Sequence, residues 1–165
     1  MKAVVTIDNL VLGGSIITAI ELAATVRDRC GWDVVIHAAP GPLESLVRER
    51  GLRLLTAPEN PSMVSTRNIR ALRAVCRAEQ PDLVHAWGPK PVFTAFVAAY
   101  LGERIPTLGS ICEMFVPPQL PPAIPISFVA PYLVRDAGTR DGINFLQEPP
   151  INFSADAPAN VDGAA

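Results

Sequence analysis

The chain has 165 residues, which is long enough for one domain with a sizeable core. Its hydrophobic fraction is 49%, and 14 basic against 16 acidic residues give a formal net charge of −2. This composition excludes a generally disordered chain, and the near balance of charge provides no electrostatic basis for binding nucleic acid or an anionic membrane.

Strand-like and helix-like segments alternate along most of the chain. Short apolar runs rich in β-branched residues predict strands at 2–8, 33–39, 52–56, 83–86, 105–111, 126–130 and 143–147. Apolar residues at helical spacing predict helices that follow Gly13-Gly14, begin at Pro42, begin near Ser65, span 92–101 and span 132–136. This alternation implies right-handed crossovers. The predicted fold class is therefore α/β and Rossmann-like, a mostly parallel sheet with helices on both faces.

The pattern changes near the carboxyl terminus, where residues 149–165 are mostly small, polar or proline. This composition is typical of a linker or a tail. We therefore divide the chain into a Rossmann-like domain at 1–148 and a linker-like tail at 149–165.

The cysteines and the apolar stretches indicate the cellular location of the protein and whether it spans a membrane. Cys30, Cys76 and Cys112 are odd in number and form no Cys-x-x-Cys pair, so we expect no disulfide framework, no metal site and no cofactor, and a reducing, cytoplasmic location. The uncharged stretch 114–134 is long enough to span a bilayer, but its six prolines argue against a membrane helix. The amino terminus lacks the pattern of a signal peptide. We expect no transmembrane segment.

The first candidate site is the turn at Gly13, Gly14 and Ser15, which opens the first helix. Free backbone N–H groups at a helix start favour an anion, and glycine lets a phosphate or a sugar approach the backbone closely. The alternative is that the glycines only permit a tight turn. The spacing matches neither the dinucleotide-binding fingerprint nor the phosphate-binding P-loop.

The second candidate site is at the end of the fourth strand, at His85, Trp87 and Gly88. Strand order in a doubly wound sheet reverses between strands one and four, so these residues are expected to face Gly13-Gly14 across the switch-point crevice. The histidine would bond a hydroxyl group and the tryptophan would cover the face of a sugar. The alternative is a histidine packed beneath the loop.

Single acidic residues also fall at strand ends. Asp8 and Glu113 are placed to meet a polar substrate, and we include Glu113 among the candidate substrate-binding residues. His37 lies inside a strand pattern and is expected to be a core residue. The sequence shows no Ser/His/Asp set and no paired-carboxylate spacing, so we assign no catalytic residue.

Four motifs in order resemble a known family. They are the glycine pair at 13–14, W-D-V-V-I at 32–36, P-D-L-V-H-A-W-G at 81–88 and P-P-I-N at 149–152. Over residues 3–153 the chain resembles the N-terminal domain of retaining, family-4-like GT-B glycosyltransferases, the large family that includes sucrose and glycogen synthase relatives. The resemblance implies one half of a two-domain GT-B fold.

The resemblance also implies different roles for the two domains. In that family the N-terminal domain binds mainly the acceptor, and the C-terminal domain binds the nucleotide-sugar donor and carries a paired-glutamate motif. The positions that match Gly13-Gly14 lie near the donor phosphate or the acceptor, and the position that matches His85 lies near the cleft. Because the sequence ends where the second domain is expected to begin, we expect no appreciable transfer by this chain alone.

The leading hypothesis is therefore the acceptor-side wall of a glycosyltransferase cleft, whose partner is a separate donor-binding domain or subunit. Its acceptor is a sugar, a lipid-linked sugar or another small molecule. A different hypothesis is a non-catalytic Rossmann-like module for binding or interaction. A third is another sugar-nucleotide enzyme of the same two-domain build, such as an epimerase.

Overall fold

The computed structural model describes residues 1–59, 62–139 and 142–146. The strands in these ranges are β1 (Lys2–Asn9), β2 (Asp33–Ala39), β3 (Arg53–Thr56), β4 (Leu83–Trp87), β5 (Thr107–Ile111), β6 (Ile126–Phe128) and β7 (Asn144–Leu146). The helices are α1 (Gly14–Cys30), α2 (Glu44–Glu49), α3 (Thr66–Glu79), α4 (Pro89–Ala95) and α5 (Pro131–Asp136). A π-helical segment (Phe96–Glu103) continues α4, and a 3-10 turn (Ala137–Thr139) continues α5. The tail predicted at 149–165 lies outside the described residues.

The described strands form a single seven-stranded sheet in the order β3-β2-β1-β4-β5-β6-β7. Every neighbouring pair is parallel. The chain winds outward from β1 to β3, returns through α3, and adds β4 to β7 on the other side of β1. Strand order therefore reverses between β1 and β4, and the prediction of a Rossmann-like α/β fold is confirmed.

Helices pack on both faces of this sheet. On one face, Ile20 of α1 and Val47 of α2 are fully buried against β1 and β2. On the other face, Leu72 of α3 and Val92 of α4 are fully buried against β4, β5 and β6. Both clusters consist of apolar side chains, and their burial provides the main driving force for this arrangement.

Several predicted boundaries were wrong: the helix predicted at 92–101 begins at Pro89, and the strand predicted at 126–130 ends at Phe128. Two further differences have a clear cause. Pro42 does not begin α2, because the N–H of Leu43 donates to Leu10 O at 2.9 Å and the intervening residues form a turn. The fifth strand begins at Thr107 rather than at 105, because the N–H of Ile105 donates back to Ala99 O at 3.0 Å and closes the π-helical segment. In both cases a backbone hydrogen bond to an earlier part of the chain holds residues that are apolar enough to extend the next element.

A matched pair of glycine substitutions tests this packing. In Gly41→Ala the new methyl group would meet the backbone of Leu10, and we expect the free energy of unfolding to fall by about 1–3 kcal/mol. In Gly14→Ala the methyl group meets nothing within 4 Å, and we expect no loss and a gain of up to about 1 kcal/mol from helix propensity. Urea unfolding of the two variants measures both changes. Equal stability of the two variants would contradict the predicted clash.

Candidate functional site

A cleft of about 350 Å³ opens at the carboxyl edge of the sheet, at the switch point between β1 and β4. Its walls come from the end of β1, the start of α1, the loop before α3, the turn between β4 and α4, and the segment after β5. The lining residues are 7–9, 15–16, 63, 87–91 and 112–113. The cleft therefore lies where open parallel sheets bind their ligands.

The structure brings four of the predicted site residues together in this cleft. Ser15, Trp87, Gly88 and Glu113 all line it. Gly88 precedes α4 with φ 91° and ψ 162°, a conformation that strongly favours glycine, and its N–H donates to Ser110 O at 2.9 Å. This bond holds the β4–α4 turn against β5 and fixes Trp87 at the cleft wall.

Gly13 and Gly14 border the cleft but do not line it. Gly13 is extended, with φ −170°, and its carbonyl accepts the N–H groups of Ile16 and Ile17 at 3.1 and 3.0 Å. Since Gly14 has open space around its Cα, neither strain nor packing requires glycine there. The surface in front of α1 is open to an approaching group.

His85 lies deeper than predicted and does not line the cleft. Its side chain is on the same face of the sheet as Trp87 but two residues nearer the amino end of β4, so the indole ring lies between it and the cleft. The imidazole Nε2 lies 2.7 Å from Ser110 Oγ, which lies 2.6 Å from Ser127 Oγ, and the His85 and Trp87 ring centroids are 5.1 Å apart. Burial lowers the pKa of His85 to about 4, so the imidazole is neutral at pH 7. The arrangement is that of a histidine packed beneath the loop.

Two buried polar atoms of residues that line the cleft have no partner among the described residues. They are Oδ1 of Asp8, an acceptor, and Nε1 of Trp87, a donor. The other carboxylate oxygen of Asp8 lies 3.5 Å from Nζ of Lys90. Because buried polar groups are normally hydrogen-bonded, such atoms at a cleft indicate places where a ligand supplies the partner.

Residues 13–140 match the family model of the glycosyl transferase 4-like domain. The chain belongs to this family. No curated protein sequence matches the chain. The predicted family resemblance is confirmed.

Solved structures agree with the family at the level of the fold. A glycosyltransferase from Rickettsia africae ESF-5 superposes with a TM-score of 0.66 at 12% identity, over 85% of this chain and 39% of that one. The glycosyltransferase SsfS6 of Streptomyces sp. SF2575 superposes with a TM-score of 0.60 at 16% identity, over 92% of this chain and 55% of that one. The chain therefore spans 39–55% of the length of these structures and has the fold of one GT-B half.

The same fold also occurs in an enzyme of another class. A putative UDP-N-acetylglucosamine 2-epimerase from Listeria monocytogenes superposes with a TM-score of 0.51 at 14% identity, over 66% of this chain and 30% of that one. The fold alone therefore does not separate sugar transfer from epimerisation.

Sequence reasoning missed several lining residues of this glycosyl transferase 4-like domain. Lys90 follows the predicted Gly88 by two residues, and its place at the start of α4 was the signal available. Met63 comes from the loop before α3, and no local pattern marks it, because its place depends on how that loop folds over the carboxyl edge. Asp8 was noted at a strand end but was left out of the predicted site.

Four exposed apolar side chains lie close in sequence to residues that line the cleft. Leu12, Val64, Met114 and Phe115 are exposed to 77%, 57%, 85% and 64%. They flank the lining residues Ser15, Met63 and Glu113 in sequence. We call these four residues the apolar rim. An apolar surface next to a cleft is typical of a contact region for a ligand or a partner.

The family domain shows no metal site in the part of the chain that the structure describes. No group of three or more His, Cys, Asp and Glu side chains is arranged there to hold an ion. None of the helices in the described ranges is both long and apolar enough to cross a membrane.

Proposed function

We propose that this glycosyl transferase 4-like domain forms the acceptor-side wall of a glycosyltransferase cleft, and that the sugar comes from a nucleotide-sugar donor held by a second domain or subunit. The observation that carries the proposal is the cleft at the switch point, where Ser15, Trp87, Gly88 and Glu113 converge in a chain of this family. Its volume of about 350 Å³ lies in the range of small-molecule sites.

The charges of the residues that line the cleft support the assignment of this wall to the acceptor. Asp8 and Glu113 are acidic, and Lys90 is the single basic residue that lines it within the described ranges. A nucleotide diphosphate is normally held by several cationic or N–H donors. We therefore assign the donor to the opposite wall, which a second domain or subunit provides. The open start of α1 at Gly13-Gly14 is the place where the donor phosphate, or the acceptor, approaches the wall formed by this chain.

Sugar transfer needs both walls. Donor and acceptor must be held in attack geometry with water excluded, and one wall supplies half of those contacts. We accordingly propose a transferase that is inactive without its donor-binding domain, with a functional domain at 1–148 followed by a linker at 149–165. A reducing, cytoplasmic location fits the unpaired Cys30, Cys76 and Cys112.

A non-catalytic binding module is the competing function. The position of His85 favours it, because the one histidine predicted at the cleft is partly buried and does not line the cleft, whereas Trp87 does. Loss of activity on changing the cleft distinguishes the two functions.

The test is a transfer assay with a panel of nucleotide sugars. We expect the chain alone to give no transfer above the uncatalysed rate, and a donor-binding domain from a family member to restore it. In the restored enzyme Gly14→Val should lower kcat/KM for the acceptor about 10-fold or more, because the side chain fills the open space before α1. Gly138→Val is the matched control, since Gly138 also has open space but lies beyond β6.

Robust transfer by the chain alone would overturn the requirement for a second wall. Equal activity of Gly14→Val, Gly138→Val and the parent would remove the basis for a ligand at the start of α1. If the donor-binding domain binds but no acceptor is ever glycosylated, the binding-module function is favoured.

A further inference from the structure

The unpaired atoms of the cleft indicate the class of acceptor. We propose that the acceptor is a neutral molecule with hydroxyl groups and an apolar flank, of the kind represented by an alkyl glycoside, and that Asp8 determines this specificity by accepting a hydrogen bond from one hydroxyl. This inference rests on the proposed function and names the ligand of the same cleft.

Asp8 is the centre of the argument. Its Oδ1 atom is buried and has no donor among the described residues, while Oδ2 is 3.5 Å from the ammonium group of Lys90. Leaving a buried carboxylate oxygen unpaired is unfavourable, and the fold itself does not relieve it. A hydroxyl of a bound ligand supplies the missing donor, and a hydrogen bond to a charged acceptor is among the stronger ones.

The charges around this atom exclude an anionic ligand. Asp8 and Glu113 both line the cleft, and Lys90 already contacts Asp8. The lining side chains thus carry a net charge of −1, two acids against one base. A sulfate, carboxylate or phosphate in contact with Asp8 would place two negative charges side by side, whereas a hydroxyl group would not.

The remaining walls favour an apolar flank. Ile7, Ile16 and Met63 line the cleft with aliphatic surface, and Trp87 adds an aromatic ring. The indole Nε1 is buried without an acceptor in the described part of the chain, so the same wall offers a hydrogen bond to a ligand oxygen. Together these groups match a molecule that is hydroxylated on one side and apolar on the other.

A purely structural role for Asp8 makes a different prediction. If Asp8 serves only to anchor α4 through Lys90, then removing either partner should have the same effect. If Asp8 binds the ligand, removal of Lys90 leaves the carboxylate in place, and the loss of binding is smaller than on removal of Asp8. Asp8→Ala and Lys90→Ala therefore separate the two roles.

Tryptophan fluorescence of the full chain gives a direct binding assay. The sequence has two tryptophans, and Trp32→Phe leaves Trp87 at the cleft as the single reporter. The probe is hexyl β-D-glucopyranoside below its micelle concentration, with glucose and hexyl sulfate for comparison. We expect a saturable change in Trp87 emission with hexyl glucoside, weaker binding of glucose, and none of hexyl sulfate.

The variants are made in the Trp32→Phe background. Asp8→Ala should weaken the binding of hexyl glucoside about 10- to 100-fold, the value of a hydrogen bond to a charged group. Asp8→Asn keeps a neutral acceptor oxygen and should give an intermediate loss. Lys90→Ala also changes the cleft wall but leaves the carboxylate in place, so it should lose less binding than Asp8→Ala. Asp28→Ala, a change at an exposed acid near the end of α1, should bind as the parent does. Urea unfolding checks that each variant is folded.

The outcomes of these measurements test the role of Asp8 and the class of acceptor separately. Parent-like binding by Asp8→Ala overturns the role of Asp8 and leaves the proposed cleft intact. Equal losses in Asp8→Ala and Lys90→Ala overturn it in favour of the structural role. Tight binding of hexyl sulfate, or no binding of hexyl glucoside by the parent, overturns the acceptor class. The transfer assay tests the proposed function independently, since it does not depend on this probe.

Discussion

Lowering the pH from 7 to 4 is expected to reduce the free energy of unfolding by about 3 kcal/mol for each of His37 and His85. Burial lowers the pKa of each imidazole from 6.5 to about 4. His37 is 2% exposed, its Nδ1 is 3.2 Å from Thr6 Oγ1, and its Nε2 has no partner among the described residues. Among the described residues, neither ring has an acidic neighbour that would stabilise the imidazolium ion. A combined loss of this size approaches the whole stability of an ordinary domain.

The sign of the effect follows from proton uptake. Between pH 6.5 and pH 4 the unfolded chain binds a proton at each histidine and the folded chain does not. The free energy of unfolding therefore rises with pH across this window, and the histidine contribution reaches its full value above it. The carboxylates that are paired with arginine contribute to the pH dependence of stability at a lower pH. Arg53 and Arg73 lower the pKa of Glu79 and Glu103 below 4.5, so that contribution is present above pH 4.5 and is lost below it.

Urea unfolding at pH 7.5, 6.5, 5.5 and 5.0 measures the histidine contribution with little interference from the carboxylates. His85→Gln retains a donor for Ser110, and His37→Gln removes the other imidazole. Each variant should lose about half of the pH dependence of the parent. A parent whose stability is constant across this window would show that the two rings are not buried as described.

Trp87→Ala is expected to lower the free energy of unfolding by about 3–5 kcal/mol, whereas Trp87→Phe should cost about 1 kcal/mol or less. The indole is 4% exposed and packs in the core cluster that contains Ile7 and Leu10. Phenylalanine keeps most of this apolar contact. It also removes an N–H group that has no acceptor in the described part of the protein, which offsets part of the lost volume.

Trp87→Phe also separates the contribution of Trp87 to folding from its contribution to acceptor binding. Trp87→Phe should remain folded and bind the acceptor more weakly, because the ring surface stays and the N–H donor is gone. Trp32→Phe is the matched control, since Trp32 is partly buried at the start of β2, away from the cleft. Thermal unfolding and acceptor KM in the restored enzyme are the measurements. Equal KM values for both variants would show that the indole N–H does not face the ligand.

The sequence predicted most of the fold because its local signals were strong. Gly31 ends α1 in a left-handed conformation, with φ 66° and an N–H that donates to Arg27 O, as its place after the apolar repeat indicates. Each predicted strand appears in the sheet, because β-branched runs between helices have few other arrangements. The end of the predicted strand at 143–147 lies partly outside the described residues.

The site was harder to predict, because it depends on depth and on long-range packing. His85 and Trp87 occupy one strand end with the same side-chain direction, and only the three-dimensional structure shows that the indole lies between the imidazole and the cleft. Asp8 and Lys90 are 82 residues apart, and their contact requires β1 and β4 to be neighbours. Whether an atom such as Asp8 Oδ1 is unpaired is a property of all its surroundings, which no local pattern encodes.

The position of β1 has a consequence for how the chain acquires its structure. Of the described strands, β1 comes first along the chain and lies inside the sheet, and it pairs with Asp33–Ala39 on one side and with Leu83–Trp87 on the other. During synthesis one edge of β1 therefore stays without its neighbour until β4 emerges. Closing such a distant pairing is slow, and an open strand edge is prone to aggregate. We expect refolding at high protein concentration to compete with aggregation, and the yield to rise on dilution.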